Sequence, residues 1–69
     1  MKILLVDDDP DLLAVTGFAL QQAGMLVVRA NSYGTALATW RAEQPDLAIL
    51  DINLPGGSGF ELCAAMRRE

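Results

Sequence analysis

A chain of 69 residues has room for one small domain, which needs a dense core to be stable. Its 52% hydrophobic and 20% charged content exclude a disordered segment. A formal net charge of -4, with five scattered cations, argues against a nucleic-acid-binding surface, so no direct nucleic-acid partner is expected.

The first element predicted is a strand over Ile3 to Val6, a short continuous apolar run between Lys2 and the acids Asp7, Asp8 and Asp9. Such runs suit strands buried on both faces of a parallel sheet. The run ends in acids after four apolar residues, which fits neither a signal peptide nor a membrane span, so a cytoplasmic protein is expected. Asp9-Pro10 reads as an N-cap followed by proline in the first helical turn. Leu12, Leu13, Thr16, Ala19, Leu20 and Ala23 then recur at helical spacing and define one face, with Phe18 pointing away from it and Gly24 as the stop.

Met25 to Ala30 is the second strand, with Val27 and Val28 its best β-formers. Ser32 caps a second helix whose apolar side is Tyr33, Ala36, Leu37 and Trp40, ended by Gln44-Pro45-Asp46. Leu47 to Leu50 is the third strand. A tight loop follows from Leu54 to Gly59, and Ser58 and Glu61 have capping-box spacing. They open a third helix that runs through Leu62, Cys63 and Met66 to the terminus. The order is β-α-β-α-β-α with short connections, which implies parallel strands joined by right-handed crossovers.

Function in such a sheet gathers at the carboxyl ends of the strands. Asp7 and Asp8 follow strand one, and Asp51 follows strand three. If those strands are neighbours, the acids converge on one rim. Three carboxylates repel one another there, and a hard divalent cation resolves the conflict. Oxygen ligands with no histidine available favour magnesium or calcium. Magnesium typically takes one or two carboxylates plus phosphate oxygens, which describes a site awaiting a phosphoryl group. A carboxylate can itself be the nucleophile, and Asp51, projecting from a strand end before a bend, is the candidate. The tight loop from Leu54 to Gly59 turns the backbone so that a carbonyl, with that of Asn53 a candidate, can face the ion. Asp9 reads as an ordinary cap, Asp11 as a first-turn dipole partner and Asp46 as a loop residue. Cys63, the single cysteine, reads as a small hydrophobe.

Two stretches, Leu4 to Pro10 and Leu50 to Leu62, together resemble the receiver domain of two-component response regulators, and Ala23-Gly24 and Gln44 to Leu47 follow its wording. The resemblance implies a flavodoxin-like (CheY-like) parallel sheet in the order 2-1-3. It implies phosphoryl transfer from a sensor histidine kinase to Asp51, with Asp7, Asp8, Asp51 and the Asn53 carbonyl holding Mg2+. The role is that of a signalling phosphoacceptor rather than an enzyme. The family pattern has five β-α repeats, and residues 1–69 match three of them. The family's Thr or Ser after strand four and Lys after strand five have no counterpart, since Lys2 is the sole lysine. A truncated receiver domain with weakened phosphorylation is therefore expected.

In that order strand three becomes an apolar edge, so self-association through this edge or through uncovered helix faces is expected. The alternative is a non-catalytic oligomerisation module that keeps the fold. A phosphatase-like hydrolase is a distant third, because that chemistry wants a second acid where this chain has Asn53.

Overall fold

The computed structural model describes residues 1–68. Three parallel strands, β1 (Lys2–Val6), β2 (Leu26–Ala30) and β3 (Leu47–Leu50), form a sheet in the order β2-β1-β3. Leu4 lies opposite Val28 on one side and Ala48 on the other. The central position of β1 accounts for its composition: Ile3, Leu4, Leu5 and Val6 are all buried, as a strand covered on both faces requires.

Helices α1 (Pro10–Gln22), α2 (Tyr33–Glu43) and α3 (Gly59–Arg67) cover the sheet. Leu4 and Val6 pack with Ala30, Ala36 of α2, and Leu62 and Met66 of α3. Ile3 and Leu5, alternating with them, face the side where α1 lies. The second helix follows expectation, with Ala36 buried and Tyr33, Leu37 and Trp40 packed on the core. Its Ser32 makes a capping box with Thr35, and Ser58 makes the expected one with Glu61.

Three details depart from the expected elements. The buried stripe of α1 is centred on Gly17, flanked by half-buried Leu13, Thr16 and Leu20, while Leu12, Ala19 and Ala23 are exposed. The Arg29 guanidinium lies over this point, with Nη2 2.7 Å from where a Cβ on Gly17 would sit, and it covers a position of α1 that carries no side chain. Phe18 does point outward. Strand β2 begins at Leu26, because the Met25 N–H is taken by the Leu20 carbonyl in closing α1.

The segment after Asp51 is a hairpin as well as a loop. Strand β4 (Asn53–Leu54) pairs antiparallel with β5 (Gly57–Ser58) across Pro55-Gly56. Gly56 takes φ 89°, the value a turn with proline before glycine demands. Buried Leu54 anchors the hairpin to the core, and the Tyr33 N–H donates to the Pro55 carbonyl at 3.0 Å. Helix α3 is capped at Arg68; its expected continuation to Glu69 lies outside the described residues.

Strand β3 alternates. Ala48 and Leu50 face the α2–α3 core, while Leu47 and Ile49 remain 47% and 40% exposed. Its outer edge has no partner strand among the described residues. No helix of the described residues is long and apolar enough to cross a membrane.

Candidate phosphoacceptor and metal site

The ladder hydrogen bonds at the ends of β1 and β3 set the acids in place. The Asp7 N–H donates to the Ala30 carbonyl at 3.2 Å, and the Asp51 N–H donates to the Val6 carbonyl at 3.0 Å. Each acid is therefore the first residue past its strand, held by a main-chain bond to the neighbouring strand. With β1 beside β3, one carboxylate oxygen each from Asp7, Asp8 and Asp51 falls within 4.8 Å of the others. Asp7 and Asp51 are half-buried and Asp8 is exposed.

Each half-buried acid accepts from a main-chain N–H two residues on. Asp7 Oδ1 accepts from the Asp9 N–H at 3.0 Å, and Asp51 Oδ1 accepts from the Asn53 N–H at 3.4 Å. Asp9 itself faces the helix, accepting from the N–H groups of Asp11 and Leu12, which is the capping role expected of it. Asn53 sits at the start of the hairpin, exposed, two residues beyond Asp51.

Asp46 has more to do than a loop residue. It accepts from the Lys2 N–H at 2.7 Å and fastens the start of β3 to β1. The Lys2 ammonium is engaged at that same end, 3.1 Å from the Glu43 carbonyl and 3.4 Å from Glu43 Oε1. The lysine charge thus lies at the opposite end of the sheet from the three carboxylates. A depression of about 400 Å³ lined by Trp40, Arg41, Gln44, Pro45 and Met66 also lies at that far end, away from the acids.

The donor set suits a hard cation. All three ligands are carboxylate oxygens, and a span within 4.8 Å is about twice a metal–oxygen bond for magnesium or calcium. One ion can reach all three with small side-chain adjustments.

The family model for the response regulator receiver domain matches residues 3–69. The chain is 35% identical over 68 residues to the alkaline phosphatase synthesis transcriptional regulatory protein PhoP of Bacillus subtilis, covering 99% of this chain and 28% of that protein. It is 41% identical over 69 residues to the sensor histidine kinase AruS of Pseudomonas aeruginosa, covering 100% of this chain and 7% of the kinase. Among solved structures, the response regulator TrrA of Thermotoga maritima in complex with Mg2+-BeF superposes with a TM-score of 0.93 at 36% identity. That match covers 97% of this chain and 58% of that one. The chain therefore spans under a third of the curated PhoP relative and somewhat over half of the solved receiver.

Proposed function

Because this chain belongs to the response regulator receiver family, we propose that Asp51 accepts a phosphoryl group from the phosphohistidine of a sensor histidine kinase. In this reading Asp7, Asp8, Asp51 and the backbone carbonyl of Asn53 hold Mg2+. Receiver domains are signalling domains that take phosphate from such kinases and bind Mg2+ at an acidic pocket. The observation that carries the reading here is the convergence of three carboxylates from the ends of two adjacent strands.

The transfer follows from the placement of Asp51. One carboxylate oxygen attacks phosphorus in line as the P–N bond breaks. The electron pair stays on the imidazole nitrogen, and an acyl phosphate forms on Asp51. The Asn53 N–H engages Oδ1 at 3.4 Å, and the second carboxylate oxygen is the one assigned to attack in this reading. The ladder bond from the Asp51 N–H to Val6 keeps the nucleophile on a rigid strand end. A bound cation neutralises charge on the carboxylates and on the incoming phosphoryl group. With its sole lysine engaged at the other end of the sheet, the 69-residue chain is expected to label more slowly than a receiver with an ammonium at the pocket.

Incubation with Mg2+ and acetyl phosphate, read by intact mass and peptide mapping, tests the proposal. The expected product is a single phosphoryl adduct on Asp51, lost in Asp51→Asn. No adduct at any donor or Mg2+ concentration refutes it.

A second reading is favoured by β3. Its exposed Leu47 and Ile49 and its open edge support self-association of the chain, with or without phosphoryl chemistry. Sedimentation equilibrium decides it: an oligomer is expected, weakened by Ile49→Lys, and a folded monomer at high concentration excludes it. A purely structural assembly module further requires that Asp51→Asn leave the oligomer unchanged and that Mg2+ not alter stability.

A further inference from the structure

We propose that Gly59 is a positioning residue for Asp51: its missing side chain is what allows the Asp51 carbonyl, and hence its carboxylate, to sit where Asp7 and Asp8 can share a ligand with it. The proposal rests on the site reading above and deepens it. After Asp51 the chain makes the β4–β5 hairpin and returns, so that buried Gly59, opening α3, lies against the end of β3. Its N–H donates to the Ile52 carbonyl at 2.7 Å.

A Cβ built on Gly59 would press into the Asp51 carbonyl oxygen. It would also lie 3.0 Å from the Asp51 carbonyl carbon and 3.2 Å from the Ile52 Cα. Every one of those neighbours is main chain, so no flexible side chain can swing aside. The backbone angle does not call for glycine, because the glycines with positive φ are Gly24 and Gly56. Helix propensity does not call for glycine either, since alanine is intrinsically the better helix former. Room beside Asp51 is the remaining physical reason for glycine.

A methyl group at 59 must displace either α3 or the Asp51 peptide. Helix α3 is held by buried Leu62, Ala65 and Met66 and by the Ser58–Glu61 capping box. Asp51 is the first residue past an edge strand, tied by its N–H to Val6 and half-buried. The Asp51 peptide is the part that yields, and its tilt carries the carboxylate away from Asp7 and Asp8. A displacement of about 1 Å at a reacting group lowers rates by about a hundredfold.

The test compares the parent chain, Gly59→Ala and Ala36→Gly, the last a destabilised control in the α2 core. Mg2+ affinity is taken from amide shifts of Asp8 and Asp51, folding from urea titration, and phosphorylation from acetyl phosphate labelling. Gly59→Ala is expected to weaken Mg2+ binding and slow labelling by about tenfold or more in its folded form. Ala36→Gly should keep both within about twofold at equal or greater loss of stability. Parental Mg2+ affinity in folded Gly59→Ala overturns the proposal, as does an equal loss in the control. Should Gly59→Ala not fold, hydrogen exchange in the parent decides. The Gly59 amide should slow on Mg2+ addition while that of Gly24 stays constant, and unchanged exchange at Gly59 overturns the role. A parent that binds Mg2+ but takes no phosphoryl group defeats the phosphoacceptor reading alone, and the affinity comparison still judges Gly59. A parent that binds no Mg2+ defeats both.

Discussion

Replacing Asp51 by Asn should stabilise the metal-free chain and destabilise it relative to the parent once Mg2+ is present. Three carboxylate oxygens lie within 4.8 Å of one another, so Asp51 takes part in two of the three repulsive pairs. At that separation one pair costs about 0.9 kcal/mol in a water-like dielectric. The water-like value is appropriate because Asp8 is exposed and the other two acids are only half-buried. Salt at physiological strength roughly halves each term. Two pairs then come to about 1 kcal/mol, which corresponds to a Tm about 4–8 °C higher for a domain of this size. The amide oxygen of Asn can still accept from the Asn53 N–H, so little is lost locally. Mg2+ at a hundred times its Kd adds about 2.7 kcal/mol to the parent, and less to a variant with one ligand charge removed. Urea unfolding followed by the half-buried Trp40, in EDTA and across an Mg2+ series, should show the two curves exchange order. A variant no more stable than the parent in EDTA, or a gap that Mg2+ leaves unchanged, refutes the shared-site electrostatics.

Three further outcomes probe the frame that carries the site. Leu62→Ala removes a fully buried side chain between α3 and the sheet, and should cost about 2–5 kcal/mol in urea unfolding; a loss well under 1 kcal/mol would mean α3 is not packed as described. Ser58→Ala breaks the capping box at the start of α3 and should cost about 0.5–2 kcal/mol, with amide exchange rising first at Gly59 to Glu61; uniform protection there would contradict the cap. Lys2→Met removes an exposed ion pair at 3.4 Å, and stability should change by less than about 1 kcal/mol, with the same metal affinity as the parent; a large change in metal affinity would place the lysine in the site.

Where local chemistry decides structure, the residues were readable. Asp9-Pro10, Ser32 and Ser58 with Glu61 announced the starts of all three helices. The apolar runs at 3–6 and 47–50 announced two of the strands. What resisted reading depends on contacts between segments. The stripe of α1 is centred on Gly17, and hydrophobic periodicity scores a glycine as a gap even when an arginine from β2 lies over it. Asp46 looked like loop chemistry because its partner, the Lys2 main chain, is 44 residues away. The β4–β5 hairpin was hidden because each of its strands is two residues long, too short for any alternation to register.

The site itself turned on one non-local fact, the adjacency of β1 and β3. Neighbouring strands lie about 4.8 Å apart, so acids at the ends of adjacent strands meet, while an intervening strand would hold them roughly 9–10 Å apart. The observed clustering within 4.8 Å is the spacing of neighbours. Sequence alone leaves the order open, since a chain taking its strands as they come would place β2 in the middle. Composition argues against that arrangement. A central strand has both faces and both edges covered, which the uninterrupted apolar run Ile3-Leu4-Leu5-Val6 accepts without burying a charge. Strand β2 carries Leu26 and Arg29, both exposed, and β3 leaves Leu47 and Ile49 partly open. Put at the centre, β2 would draw the Arg29 guanidinium, now exposed, toward the covered interior, and desolvating a cation costs several kcal/mol before any pairing. The observed order β2-β1-β3 satisfies the burial demand of β1 and keeps Arg29 on a flanking strand, and it is that order which brings Asp51 to Asp7 and Asp8.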